Sequence, residues 1–134
     1  MSASEYDHRF VVKTPKSVYP PREDSLFLAR CIPEPKNGLK TALEIGSGSG
    51  FLSMTLAAKG WKVTSIDVNP LAVAATKSNT QENGYPDIHC IEGSFDEIEC
   101  LQEGMFDLII WNLPYLTIPT SGPHLEPIEE ASML

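Results

Sequence analysis

The chain has 134 residues and a mass of 14.7 kDa, enough for one domain with a single core, and it is 42% hydrophobic, which excludes a wholly disordered polymer. Its net charge of −8 argues against a protein that grips a nucleic-acid backbone, since that requires clustered Lys and Arg; Lys13, Lys16 and Arg22 come nearest to a basic patch. The cysteines Cys31, Cys90 and Cys100 form no C-x-x-C pair and fit reduced thiols in a cytoplasmic protein, and no stretch reads as a secretory signal or a bilayer span.

Residues 1–17 read as a flexible lead-in, and residues 18–134 as one domain. Tyr19-Pro20-Pro21 is extended by its prolines. A helix is predicted from Arg22, with Glu23 and Asp24 at its dipole end, and Pro33 and Pro35 stop it. Thr41-Ala42-Leu43-Glu44-Ile45 is a short apolar run that ends at glycines, hence a first strand. A helix over 51–59 follows, closed by Gly60. Residues 61–66 make the second strand. Pro70 suits a helix start, and the helix continues over 71–83 until Gly84. Residues 87–91 and 106–111 supply the third and fourth strands. The tail from Ile118 reads as loop, with a short helix from Pro127. This order predicts an α/β fold: a mainly parallel sheet with covering helices.

Asn112-Leu113-Pro114-Tyr115 directly follows the fourth strand. Ligands in open α/β sheets bind outside the carboxyl ends of the strands. The tetrapeptide offers an amide, a ring that restricts the backbone, and a flat aromatic face. That set suits a planar group carrying an NH2. Gly46-Ser47-Gly48-Ser49-Gly50 joins the first strand to the first covering helix, with G-x-G-x-G spacing rather than the dinucleotide pattern. Asp67 ends the second strand, where an acid that accepts from ribose hydroxyls belongs. Glu44, just before the loop, would repel a pyrophosphate and welcome an ammonium. The ligand these residues describe is a nucleoside with an ammonium end and no phosphates, and S-adenosylmethionine fits. His8, His89 and His124 lie outside these motifs and read as surface or structural residues.

These pieces resemble the class I, Rossmann-like methyltransferases, and among them the HemK-like release-factor glutamine methyltransferases of the archaeal and eukaryotic type. The glycine loop looks like their cofactor loop. Val18-Tyr19-Pro20-Pro21-Arg22-Glu23-Asp24-Ser25 is similar to their upstream V-Y-x-P-x-E-D-[ST] element, and Asn112-Leu113-Pro114-Tyr115 resembles their N-P-P-Y. The resemblance implies methyl transfer from S-adenosylmethionine to a glutamine side-chain amide of a protein such as a translation release factor. It implies cofactor contacts at Tyr19, Ser25, Glu44, Gly46, Ser47, Gly48, Asp67, Val68, Ser94, Phe95 and Asn112. It assigns the substrate grip to Asn112, Pro114 and Tyr115. It also implies a small zinc-binding activator subunit, as family members of this type often have.

Three departures stand out. Leu113 replaces the usual proline, and N-L-P-Y is familiar from ribosomal-RNA adenine dimethylases. Ser94 stands where an acid usually meets the cofactor's adenine amine. Only four strands are readable, against seven in the family, so the last strands are expected to be missing and the fourth strand to offer an edge for self-association. The alternatives are therefore an adenine exocyclic-amine methyltransferase, and a cofactor-binding but inactive form or assembly module.

Overall fold

The computed structural model describes residues 10–18, 20, 21, 23–94, 96 and 104–112. The elements run α1 (Glu23–Cys31), β1 (Thr41–Ile45), α2 (Phe51–Ala58), β2 (Lys62–Asp67), α3 (Pro70–Glu82), β3 (His89–Glu92) and β4 (Leu108–Trp111). All four strands are parallel, in the order β3-β2-β1-β4. Two successive crossovers step outward from β1 to β3, and the chain then returns to pair β4 with the free side of β1. That reversal makes the carboxyl ends of β1 and β4 a topological switch point, the place where such sheets bind ligands.

Each element has a local cause. Helix α3 starts at Pro70, whose missing N–H is no loss at that position, and the Asn69 carboxamide oxygen accepts from Leu71 N at 3.0 Å. Helix α2 starts at Gly50, which has φ +89°; a Cβ built there would lie 3.1 Å from Thr76 Cγ2 and 3.3 Å from Thr76 Cα. Only glycine meets both demands without strain. Alternate strand residues face opposite sides, so Ala42, Glu44, Val63, Ser65, Leu108 and Ile110 share one face in the observed register. The core forms between this face and the helices, where Ala42, Val63 and Ile110 pack with Phe51, Leu52, Met54, Leu56 and Ile88.

The strand boundaries shift from expectation for visible reasons. Trp61 precedes β2 rather than opening it: its ring is buried, and its indole N–H donates to Pro33 O at 2.8 Å. Phe106 and Asp107 precede β4, and the Asp107 carboxylate instead accepts from Lys40 N (2.7 Å), Thr41 N (3.0 Å) and Thr41 Oγ1 (3.0 Å).

The largest difference lies at the N-terminus. Residues 10–17 fall in the stretch that reads as flexible, yet Phe10 and Val12 are buried in the core. The Phe10 ring stands edge-on to Phe51 (6.2 Å between centroids) and to Tyr85 (5.9 Å). Sequence composition is silent on such docking because it depends on partners far along the chain.

Candidate active site

The glycine loop sits at the carboxyl end of β1, under the switch point. Gly46, Gly48 and Gly50 have φ of +76°, +55° and +89°, a region side chains other than glycine's rarely adopt. Among the described residues, a Cβ on Gly46 would meet nothing within 4 Å. Four of the loop's N–H groups, those of Gly46, Ser47, Gly48 and Gly50, are engaged within the protein. Gly46 N and Ser47 N donate to Ile66 O (2.8 and 3.1 Å), Gly50 N to Ser47 O (2.8 Å) and Gly48 N to Asp67 Oδ2 (3.0 Å). A phosphate cradle turns such donors toward its ligand; this loop turns them inward. The geometry agrees with a ligand that carries no phosphate.

Asp67 is half-buried at the end of β2. One carboxylate oxygen accepts from Gly48 N and the other from Asn69 N at 2.9 Å. A carboxylate has about four acceptor positions, so each oxygen keeps capacity for a ribose hydroxyl. These two bonds also fix the carboxylate against the loop, which places it in advance for a diol. Val68 follows, 67% exposed, at the same end of the sheet.

Glu44 takes a different position from the one its sequence context predicts. Its side chain shares the helix-covered face and is 2% exposed, with Ser53 Oγ donating to Oε1 at 2.6 Å. Ser53 Oγ in turn lies 2.5 Å from Ser65 Oγ. Burial pushes the Glu44 carboxyl up to about 8; the bonds from Ser53 oppose the shift and the nearby Asp67 charge adds to it. Burial therefore favours the uncharged form of the Glu44 carboxyl behind the loop, whereas its sequence context predicts a charge that faces an ammonium.

Ser25 and Asn112, 87 residues apart, meet: Asn112 Nδ2 donates to Ser25 Oγ at 3.2 Å. Helix α1 supplies one and the end of β4 the other, so two motifs quoted separately from the sequence converge beside the switch point. Ser94 follows β3, half-buried, and its hydroxyl donates to Asp96 Oδ1 at 2.6 Å. Asp96 thus holds a carboxylate within hydrogen-bond reach of Ser94. Tyr19, Phe95, Pro114 and Tyr115 lie outside the described residues.

Sequence reasoning missed a set of polar side chains behind the loop. The Thr76 hydroxyl lies 3.0 Å from Ser47 Oγ and 3.1 Å from Gly48 O, and Asn79 Nδ2 donates to Ser49 O at 2.8 Å. Both come from α3 and both are buried.

A protein-family model described as a methyltransferase domain matches residues 36–132. The chain belongs to the class I S-adenosylmethionine-dependent methyltransferase family. Its relatives include a putative protein N5-glutamine methyltransferase of Methanocaldococcus jannaschii, 39% identical over 82% of this chain and 52% of that protein. A release factor glutamine methyltransferase of Enterococcus faecalis is 28% identical over 86% of this chain and 41% of its own length. The chain thus spans about half the length, or less, of these curated relatives. Among solved structures, precorrin 8W decarboxylase of Methanobacterium thermoautotrophicum superposes with a TM-score of 0.62 at 26% identity, covering 78% of this chain and 55% of that one. The methyltransferase family uses S-adenosylmethionine as methyl donor, and the inward-turned loop and the Asp67 carboxylate fit a nucleoside of that kind. Among the described residues no helix is long and apolar enough to cross a membrane.

Proposed function

We propose that this chain carries the donor-binding part of an N-methyltransferase that modifies the side-chain amide of a glutamine in a protein, with a translation release factor as the substrate. The observation that carries this reading is the meeting of Asn112 with Ser25, which joins the acceptor loop to the upstream element at the mouth of the donor crevice. The donor supplies a methyl on a sulfonium, which is electrophilic without further activation. The protein's task is then to hold a weak nitrogen nucleophile in place. With its NH2 directed at Ser25, the Asn112 amide turns its oxygen away as an acceptor for the target NH2. Such a bond would favour the charge that develops on nitrogen during transfer. Pro114 and Tyr115 complete the grip in this reading. Ser94 and Asp96 together take the place of the acid that would read the donor's adenine amine.

A second reading has its own support. The chain is 35% identical, over 59% of its length and 35% of the relative's, to a tRNA1(Val) (adenine(37)-N6)-methyltransferase of Shewanella amazonensis, and Leu113 belongs to the N-L-P-Y form of the motif. Both readings need the same planar NH2. The net charge of −8 favours a protein acceptor. Labelled methyl transfer to a release factor and to tRNA, measured side by side, separates them. Transfer to the protein is expected, and Asn112→Ala should lower it by about a hundredfold through kcat, on the scale of losing an oriented transition-state hydrogen bond. Transfer to tRNA alone would replace the first reading with the second.

A further inference from the structure

The described N-terminal segment, residues 10–18, follows α3 from one end to the other. Asn83, just past the helix, accepts from Val11 N and donates to Val11 O, both at 2.8 Å. Asn79, one turn earlier, accepts from Lys13 N at 3.0 Å and donates to Lys13 O at 2.9 Å. Asn69, the N-cap, donates to Ser17 O at 3.3 Å. Three carboxamides thus hold a strap against the helix by its backbone, whatever its side chains. Phe10 and Val12 anchor the strap in the core.

Asn79 differs from the other two. It is fully buried, and its Nδ2 donates on one side to Lys13 O and on the other to Ser49 O of the glycine loop. Both N–H donors of the amide are engaged, and its oxygen accepts one bond. Asn69 adds a tie at the far end of the strap, since its own N–H fixes the Asp67 carboxylate. The strap is therefore connected to both halves of the donor crevice, the loop through Asn79 and the acid through Asn69.

We propose that Asn79 is a positioning residue for the methyl-donor site, holding the glycine loop and the N-terminal strap in one frame so that donor binding and strap order are coupled. Buried polar groups that are fully bonded specify one arrangement because every alternative leaves a group unpaired. If the strap leaves, the Asn79 oxygen loses its donor and the amide is free to turn, which releases Ser49 O. Coupling of this kind is reciprocal: a ligand that needs the ordered loop must also order the strap.

The test uses the full chain and S-adenosylhomocysteine. Its affinity is measured by calorimetry, and amide hydrogen exchange is followed at Lys13 and at Asp107. Lys13 N–H bonds to Asn79, whereas Asp107 N–H bonds to Thr41 O at the opposite end of the sheet. The proposal predicts that ligand slows Lys13 exchange at least about fivefold more than Asp107 exchange, as reciprocal linkage requires. Equal slowing at both would reflect global stability alone and would overturn the coupling. Asn79→Ala should weaken binding about tenfold or more, the scale for a lost buried hydrogen bond. A folded variant with affinity within about twofold of the parent would contradict the role. Should that variant not fold, the exchange comparison in the unaltered chain decides. Absence of any binding by the unaltered chain would remove the donor site itself, a failure distinct from binding without strap protection.

Discussion

At the amino end of the sheet, the exposed Asp107 carboxylate accepts from Lys40 and Thr41 and so clips β4 to β1. At the carboxyl end, the buried Thr76 and Asn79 bond to the glycine loop, and the buried Glu44 accepts from the Ser53 hydroxyl of α2 beneath it. Both ends are held by side-chain hydrogen bonds. Water can replace the partners at the first end but not at the second. The same kind of contact therefore sets a strand boundary at one end and specifies a ligand site at the other. The two carboxylates show the contrast most directly, because their surroundings shift them in opposite directions.

The largest expected effect is at the buried end. Gly50→Ala must accept a positive φ and press its methyl against Thr76. The expected loss is about 2–4 kcal/mol, from the left-handed backbone and overpacking together. Urea unfolding measures it, and a loss below 1 kcal/mol, on the scale of an ordinary surface change, would contradict the close packing of α3 on the loop.

Next is the pH dependence that Glu44 imposes. Its ordinary value is 4.5 and its folded value is raised to about 8, so the folded state holds a proton that the unfolded state releases across that window. Its contribution is fully present below about pH 4.5 and is lost as pH rises through about 8. The expected slope is at most about −1.4 kcal/mol per pH unit inside the window. Glu44→Gln keeps the bond from Ser53 without the titration. It should flatten the profile and make the protein more stable than the parent near pH 8. A parent whose urea midpoint stays level between pH 5 and 8, after other carboxylates have titrated, would show that Glu44 is not buried as described.

The smallest effect belongs to the exposed end. Bonds from the Thr41 and Lys40 backbone and from the Thr41 hydroxyl hold the Asp107 carboxyl below its usual range. Its contribution has the opposite sign: present above the ordinary carboxylate range and lost as pH falls through the lowered folded value. Asp107→Asn should move the thermal midpoint near neutral pH less than either variant above. A larger shift than Gly50→Ala gives would reverse the ranking of the two ends.

The sheet was largely legible in the sequence because its signals are local. Thr41–Ile45 is bounded by glycines, and Pro70 and Gly84 bracket α3, so periodicity and punctuation placed the elements within a residue or two. Parallel order followed from the alternation of strands and helices. Gly46, Gly48 and Asp67 read as a candidate site because their positions relative to strand ends carry chemical meaning, and the structure brings Gly48 and Asp67 into contact. The buried polar layer was not. Asn79 and Asn83 are spaced four residues apart, which places them on one helix face, but a polar stripe ordinarily reads as solvent-facing. Nothing local reveals that the backbone of Val11 and Lys13 meets that stripe. The position of the Glu44 side chain is hidden for a related reason: strand alternation puts it with Ala42 on the helix-covered face, although it stands next to the loop in sequence.

The central claim is that the glycine loop and Asp67 together bind the methyl donor, with Asp67 taking its ribose. The direct measurement is a calorimetric titration of S-adenosylhomocysteine into the parent chain and into Asp67→Ala. The account predicts weaker binding by about 1–3 kcal/mol in the variant, the range for losing hydrogen bonds to a charged group. A dissociation constant that does not change would contradict it.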